Sequence, residues 1–278
     1  MTGDHPPRPA PETASAFAAL HRPGRPLVLP NAWDHASAAA LVEAGFPAVG
    51  TTSLGVASAA GKPDGQADTR TETLRLARRL AALPVPVTVD VEGGFGTDPS
   101  DPGDASDPAE VADLVRELAG YGVAGVNLED GRPDGSLRPV DQQCRLIVAC
   151  REAAPGLFLN ARTDTHWLPG HRAGTDRRLA AYQQAGADGL FVPGLRDPHT
   201  IERLAARHPL PLNILYAPGG PELPLLAALG VARVSTGSRL FRLAVHEAVR
   251  TARTVAGRPA PVAPPTYLQA QGWALAYR

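Results

Sequence analysis

Three largely apolar runs of the 278-residue chain each end in a group of polar side chains. The first ends Val89-Asp90-Val91-Glu92, the next Val126-Asn127-Leu128-Glu129-Asp130, and the third Asn160-Ala161-Arg162-Thr163-Asp164. Residues two apart in a strand face the same side. Asp90 therefore shares a face with Glu92, Asn127 with Glu129, and Asn160 with Arg162 and Asp164, and a later run adds Asn213. Carboxylates aimed at one small volume repel one another unless a cation sits among them. Oxygen-only ligands suit Mg²⁺, with Mn²⁺ the other candidate, rather than zinc. Arg162 offers a planar fork for a carboxylate. Metal plus arginine suits a 2-oxo acid, whose ketone and carboxylate oxygens the metal takes while charge develops on an enolate oxygen. One isolated pair would read as structural, with Arg162 neutralising Glu129. Five or more polar residues at three successive strand ends favour a site.

Such residues need a frame that brings strand ends together. Strands are expected at 27–30, 48–53, 85–90, 125–129, 157–162, 189–193, 212–216 and 233–236, with helical stretches such as 34–44, 71–82, 108–119, 140–153 and 198–207 between them. Asp34 suits an N-cap and Pro108 a first helical turn. Gly45, Gly122, Gly186 and Gly230 each stand where a helix closes just before a strand. Eight strand–helix repeats predict a single-domain α/β fold, a (β/α)8 TIM barrel, whose chemistry lies at the C-terminal strand ends. A doubly wound dinucleotide fold would show G-x-G-x-x-G after an early strand, and none is there. Gly93-Gly94-Phe95-Gly96 follows two acidic residues that would repel a pyrophosphate. The expected organisation is an N-terminal extension and helix over 1–24, the barrel over 25–256, and a Pro-rich tail with an apolar packing segment over 257–278.

Composition removes other classes. Net charge is −1 without a basic block, so nucleic acid is not an expected partner. No apolar run reaches the ~20 residues of a membrane helix, and the first residues carry no signal-peptide core, so a cytoplasmic enzyme is expected. Cys144 and Cys150 match neither a metal clip nor a disulfide framework. The single lysine, Lys62, lies in a Gly/Pro loop, whereas a Schiff-base aldolase needs one on an inner strand.

These stretches, with Leu29-Pro30-Asn31-Ala32-Trp33-Asp34 and Gly50-Thr51-Thr52-Ser53-Leu54-Gly55 in the same order, resemble the isocitrate lyase/phosphoenolpyruvate mutase superfamily from about residue 27 to 255. The resemblance implies a homo-oligomer, dimer or tetramer, with the last barrel helix exchanged between subunits. It implies that Asp90 ligates Mg²⁺, with Glu92 and Glu129 acting through bound waters, and that Asp64 is a further acidic active-site residue. Trp33 and Thr52-Ser53-Leu54 would cradle the substrate carboxylate, with Arg162 opposite and Asp90, Asn127 and Asn213 also facing the substrate. The shared chemistry is stabilisation of a pyruvate-like enolate while a C–C or P–C bond is made or broken.

The chain also departs from the superfamily. The lyases' Lys-(Lys/Arg)-Cys-Gly-His loop is replaced by Asp130-Gly131-Arg132-Pro133-Asp134-Gly135-Ser136-Leu137, and the mutases' loop lysine and asparagine have no clear counterpart. Glu92 replaces the mutases' aspartate. Arg132 and Ser136 are the stand-ins in that loop, which its glycines and proline suggest is a mobile cover. His166 or His171 could supply the missing proton donor. The expected function is a Mg²⁺-dependent lyase acting on a small 2-oxo or 2-hydroxy di- or tricarboxylate, by C–C cleavage or decarboxylation. The alternatives are phosphonopyruvate P–C chemistry, by mutase or hydrolase, and a catalytically silent barrel that binds a 2-oxo acid. The acidic stretch 98–107 is expected to be a surface excursion rather than a calcium loop.

Overall fold

The computed structural model describes residues 10–96 and 107–276. Most of the acidic stretch 98–107 lies outside the described residues. After α1 (Ala10–Ala18) the chain runs β1 (Leu27–Leu29), β2 (Asn31–Ala32), α2 (His35–Glu43), β3 (Val49–Thr51), α3 (Ser53–Ala59), α4 (Arg70–Leu80) and β4 (Val87–Asp90). It continues α5 (Pro108–Gly120), β5 (Gly125–Glu129), α6 (Val140–Ala153), β6 (Phe158–Arg162), α7 (Thr175–Gln184), β7 (Gly189–Val192), α8 (Pro198–Arg207) and β8 (Leu212–Leu215). It ends α9 (Leu223–Ala228), β9 (Arg233–Ser235), α10 (Arg239–Val255) and α11 (Tyr267–Ala276).

All pairings are parallel, in the order β1-β9-β8-β7-β6-β5-β4-β3-β2. β1 and β2 are one strand interrupted at Pro30, which has no N–H to give a ladder. β1 pairs with β9 and β2 with β3, so this interrupted strand closes a (β/α)8 barrel. Among the described residues nine short strands thus stand where eight are expected, and proline accounts for the extra one. Asn31 bridges the break. Its Nδ2 donates to the Thr51 carbonyl at 2.7 Å, and its Oδ1 accepts from the amides of Thr236 and Gly237, each at 2.9 Å.

The expected caps are present. Asp34 Oδ1 accepts from the Ser37 amide at 2.7 Å, and Ser37 Oγ accepts in turn from the Asp34 amide. Pro108 opens α5, and Gly45, Gly122, Gly186 and Gly230 adopt the positive φ that follows a helix C-cap. The main core lies between the strands and the helices, with side chains such as Leu114, Leu118, Leu128, Ile147 and Leu190 fully buried. A second cluster fills the barrel's N-terminal end. There Phe17 of α1 meets Phe158 edge-on at 5.4 Å, and His21 stacks on Phe158 at 4.4 Å. The C-terminal segment packs on its own barrel: α11 lies against α3, burying Ala270 and Ala274. No helix is long and apolar enough to cross a membrane among the described residues.

Candidate active site

The C-terminal strand ends open into a cavity of about 370 Å³. Asp64, Asp90, Asn127, Glu129, Arg132 and Arg162 line it, with Thr52, Ser53 and Leu54 from the β3–α3 junction. Parallel register sets the centre: Asp90 pairs with Asn127 and Glu129 with Arg162 on adjacent strands. Arg162 Nη1 lies 2.6 Å from Glu129 Oε2, while its Nε and Nη2 donate to the two oxygens of Asp164 at 2.6 and 3.0 Å. One hydrogen on each terminal nitrogen remains for a ligand, since a guanidinium carries five donors. Asp164 leans so close to the next loop that a Cβ on Gly131 would sit 2.4 Å from its Oδ2. Asp130, fully buried beneath, accepts from Thr163 Oγ1 (2.8 Å), the Asp164 amide (2.8 Å), Arg178 Nη1 (2.9 Å) and Tyr182 Oη (2.6 Å). It is a structural tie that fixes the ends of β5 and β6.

The electrostatics are those of an acid cluster held around one cation. Burial pushes Asp90 up to about 6, with Arg162 pulling it back and Asp64 adding to the rise. Burial pushes Glu92 up to about 8, with the Asp64 charge adding to it. Glu129 is raised well above the usual carboxylate range by burial against the pull of Arg162, and Asp64 and Asp164 are raised for the same reason. A cation at Asp90 would favour the charged form of that carboxylate.

Several expected site residues stand away from the cavity. Trp33 does not line it: the indole meets Phe241 edge-on at 5.5 Å and packs under Gly55, where a Cβ would come 2.6 Å from Trp33 Cβ. Of the expected cradle, Thr52, Ser53 and Leu54 line the cavity and Trp33 does not. Glu92 is buried behind the cavity wall. Its Oε1 accepts from Thr69 Oγ1 at 2.8 Å and its Oε2 from the Ala67 amide at 3.1 Å, so its carboxylate anchors the 67–69 segment. Its backbone is left-handed, φ 49°, a strained state for a non-glycine residue. Asn213 lies deeper in the barrel and accepts from Ser235 Oγ at 3.1 Å. His166 and His171 also lie outside the lining; His166 feels Arg172, Arg203 and Asp197 instead. The stretch after β5 is a tight hairpin rather than an open loop. Gly131 bridges Leu137, the Arg132 amide donates to the Ser136 carbonyl at 3.0 Å, and Arg132 Nη2 donates to Gln142 Oε1 at 3.1 Å.

Three participants have no clear strand-end signature. Arg233 of β9 is fully buried below the cavity, where Nη2 donates to Asn127 Oδ1 at 3.2 Å and Nε to Ser235 Oγ at 3.0 Å. It places a second cation beneath Asp90. Tyr267 and Gln271 of α11 complete the cavity wall. Gln271 clamps Asp64 at its amide and its carbonyl, both at 2.8 Å, and Tyr267 Oη donates to Asp64 Oδ2 at 2.8 Å. The apolar residues of the tail signalled packing, and only the fold shows which site they pack on.

The donor set fits a hard cation. Asp90 spends Oδ1 on the Glu92 amide at 3.2 Å, and no hydrogen bond engages its Oδ2 among the described residues. Among those residues no three His, Cys, Asp or Glu side chains come close enough to enclose an ion by themselves. An ion held by Asp90 would draw on water and substrate oxygens, the coordination Mg²⁺ prefers.

Fold and site together define a (β/α)8 enzyme with a carboxylate–arginine centre at its strand ends. The family model for phosphoenolpyruvate phosphomutase matches residues 17–256, and the chain belongs to this family within the isocitrate lyase/phosphoenolpyruvate mutase superfamily of lyases and mutases. An uncharacterized protein of Mycobacterium tuberculosis strain H37Rv is 41% identical over 242 residues, 86% of this chain and 88% of that one. The oxaloacetate decarboxylase of Chromohalobacter salexigens is 31% identical over 244 residues, 81% of this chain and 80% of that one. A Burkholderia cenocepacia J2315 crystal structure superposes with a TM-score of 0.79 at 38% identity, covering 89% of this chain and 100% of that one.

Proposed function

We propose that the protein is a Mg²⁺-dependent carbon–carbon lyase that cleaves or decarboxylates a small 2-oxo or 2-hydroxy acid through a pyruvate-like enolate. The observation that carries this reading is the convergence of Asp90, Glu129, Asp64 and Arg162 on one cavity of small-molecule size. Asp90 would hold the ion directly and Glu129 through water; the ion would supply positive charge to the substrate's 2-oxo and carboxylate oxygens. Arg162 and the Thr52–Ser53–Leu54 junction bind the carboxylate. Arg162, fixed by Glu129 and Asp164, keeps its free donors aimed without losing rotamer freedom on binding. Arg132 on the hairpin closes the cavity beside the substrate.

The likeness to an oxaloacetate decarboxylase over four-fifths of both chains supports a pyruvate-forming reaction. Assembly as a dimer or tetramer is part of the proposal. α10 has 17 residues yet buries only Phe241, whereas α5 buries four residues, which supports a second copy packing on α10. The test is a panel of oxaloacetate, 2-methylisocitrate, isocitrate, citramalate-like acids and phosphonopyruvate, assayed for 2-oxo acid release with Mg²⁺ and with EDTA. Turnover of a carboxylate substrate with Mg²⁺ is expected. Turnover of phosphonopyruvate alone would move the assignment to P–C chemistry, and oxalate binding without any turnover to a silent barrel.

A further inference from the structure

An enolate leaves the active site as product only after its methylene carbon has taken a proton. The cavity must therefore contain an acid, and the choice among its lining residues is narrow. No cysteine or histidine lines it among the described residues. The guanidiniums of Arg132 and Arg162 are too basic to give up a proton readily. Glu129 is held 2.6 Å from Arg162. Ser53, Ser235 and Ser238 carry hydroxyls that ordinarily do not ionise near neutral pH. One hydroxyl in the lining is a phenol in direct contact with a buried carboxyl: Tyr267, whose Oη lies 2.8 Å from Asp64 Oδ2.

On the lyase reading above, we propose that Tyr267 is the acid that protonates the enolate carbon, with Asp64 as its proton reservoir. The cycle balances through one hydrogen bond. In the resting arrangement Tyr267 donates to the Asp64 carboxylate. When Asp64 carries a proton it becomes the donor, and the phenol O–H is free to turn into the cavity. The O–H bond of Tyr267 then breaks as its proton forms a C–H bond with the electron pair of the enolate double bond. The phenolate oxygen takes the Asp64 proton in the same step, and Asp64 is reprotonated from water once product leaves. In reverse, Tyr267 Oη takes a methyl proton from pyruvate while passing its own to Asp64, and no outside oxidant or co-reactant is needed.

The surroundings are built for such a couple. Gln271 fixes the Asp64 backbone at both its amide and its carbonyl, and Trp167 meets the Tyr267 ring edge-on at 5.3 Å. The ring is thus held by Trp167 and the hydroxyl by Asp64, in a residue that lines the cavity. Burial raises Asp64, with Tyr267 and Ser53 as opposing hydrogen-bond partners, consistent with a carboxyl that can hold a proton. Burial also raises Tyr267, with the Asp64 charge adding to it, so the phenol rests protonated.

The test measures exchange of the pyruvate methyl protons in D2O with Mg²⁺ by NMR, next to oxalate affinity by calorimetry, in the native protein and in Tyr267→Phe. Oxalate has no proton to exchange and reports the rest of the site. The expected result is exchange slowed at least tenfold in Tyr267→Phe, with oxalate affinity within twofold of native. Asp64→Asn should slow exchange to a similar extent. Unchanged exchange in Tyr267→Phe would overturn the assignment of the acid. Parallel loss of exchange and oxalate binding would also overturn it, leaving Tyr267 a wall of the site. A native protein that binds oxalate but exchanges nothing counts against the couple alone. One that binds no oxalate with Mg²⁺ counts against the lyase reading itself.

Discussion

Arg162 and Glu129 are register partners on neighbouring strands, and their side chains meet at the strand ends with Nη1 2.6 Å from Oε2. The pair joins two functions, because the same guanidinium also grips Asp164 through two further donors. Arg162→Lys keeps the charge but cannot serve both carboxylates and a substrate. Oxalate affinity should fall by roughly 1.5–3 kcal/mol, about 10- to 150-fold, if the lost bond is charge-assisted. Calorimetry checks this, and native affinity in the variant would make Arg162 purely an internal ion-pair partner.

Asp90→Ala should abolish Mg²⁺ binding, since it removes the one side chain proposed to hold the ion directly. EDTA should stop turnover in the native enzyme, and added Mg²⁺ or Mn²⁺ should restore it. Full activity in chelated protein would remove the metal from the mechanism.

The carboxylates make a prediction about pH with a definite sign. In the metal-free protein Asp90 and Glu92 sit at about 6 and about 8, above their ordinary values of 3.8 and 4.5. The folded state therefore binds protons that the unfolded state releases. Their stabilising contribution is complete below the ordinary values and is lost as pH rises through about 6 and about 8. A metal ion held by Asp90 replaces the proton there, so the rise in Tm on adding Mg²⁺ should be larger at pH 8.5 than at pH 6. Differential scanning fluorimetry at the two pH values measures it, and a gain that shrinks with rising pH would contradict the arrangement.

His21 acts in the opposite sense. Burial holds it at about 3, with Arg233 adding to the effect, against an ordinary value of 6.5. It is neutral when folded, so its contribution is intact above 6.5 and is lost as pH falls towards about 3, at roughly 1.4 kcal/mol per pH unit. His21→Phe should flatten the acid side of the stability curve between pH 6.5 and 4 in chemical denaturation. A curve parallel to that of the native protein would place the acid sensitivity elsewhere.

Arg132→Ala on the hairpin should lower kcat more than it weakens oxalate. Oxalate imitates the enolate and relies on the floor of the cavity, whereas Arg132 borders it from the loop. Equal losses in both would make Arg132 a binding residue.

Most of the frame was legible because its signals are local. Strand ends with polar residues two apart, Asp34 before a helix, and glycines before strands each report their own neighbourhood, and the eight expected strands all form. What escaped depends on distance in the chain. Tyr267 reaches Asp64 across 203 positions, and no local spacing encodes that contact. Trp33 and Glu92 sat in the right motifs, but packing decided their direction: Phe241 claimed one and the Thr69 hydroxyl the other. The glycines after β5 read as a mobile cover, and the structure adds that they form a hairpin in which Gly131 answers a steric demand from Asp164.

The amide side chain of Asn31 carries a further cost for the molecule. Through it β2 reaches Thr51 on one side and the Thr236–Gly237 amides on the other, so a carboxamide replaces backbone where proline breaks the ladder. Carboxamides hydrolyse slowly with age and heat, and this residue type is among those depleted in heat-resistant proteins. Conversion of Asn31 to aspartate would set a carboxylate oxygen against the Thr51 carbonyl, 2.7 Å from the present donor, and replace attraction by repulsion. Chemical ageing at this one position would loosen the barrel beside the strand that leads into Thr52 and the cavity wall.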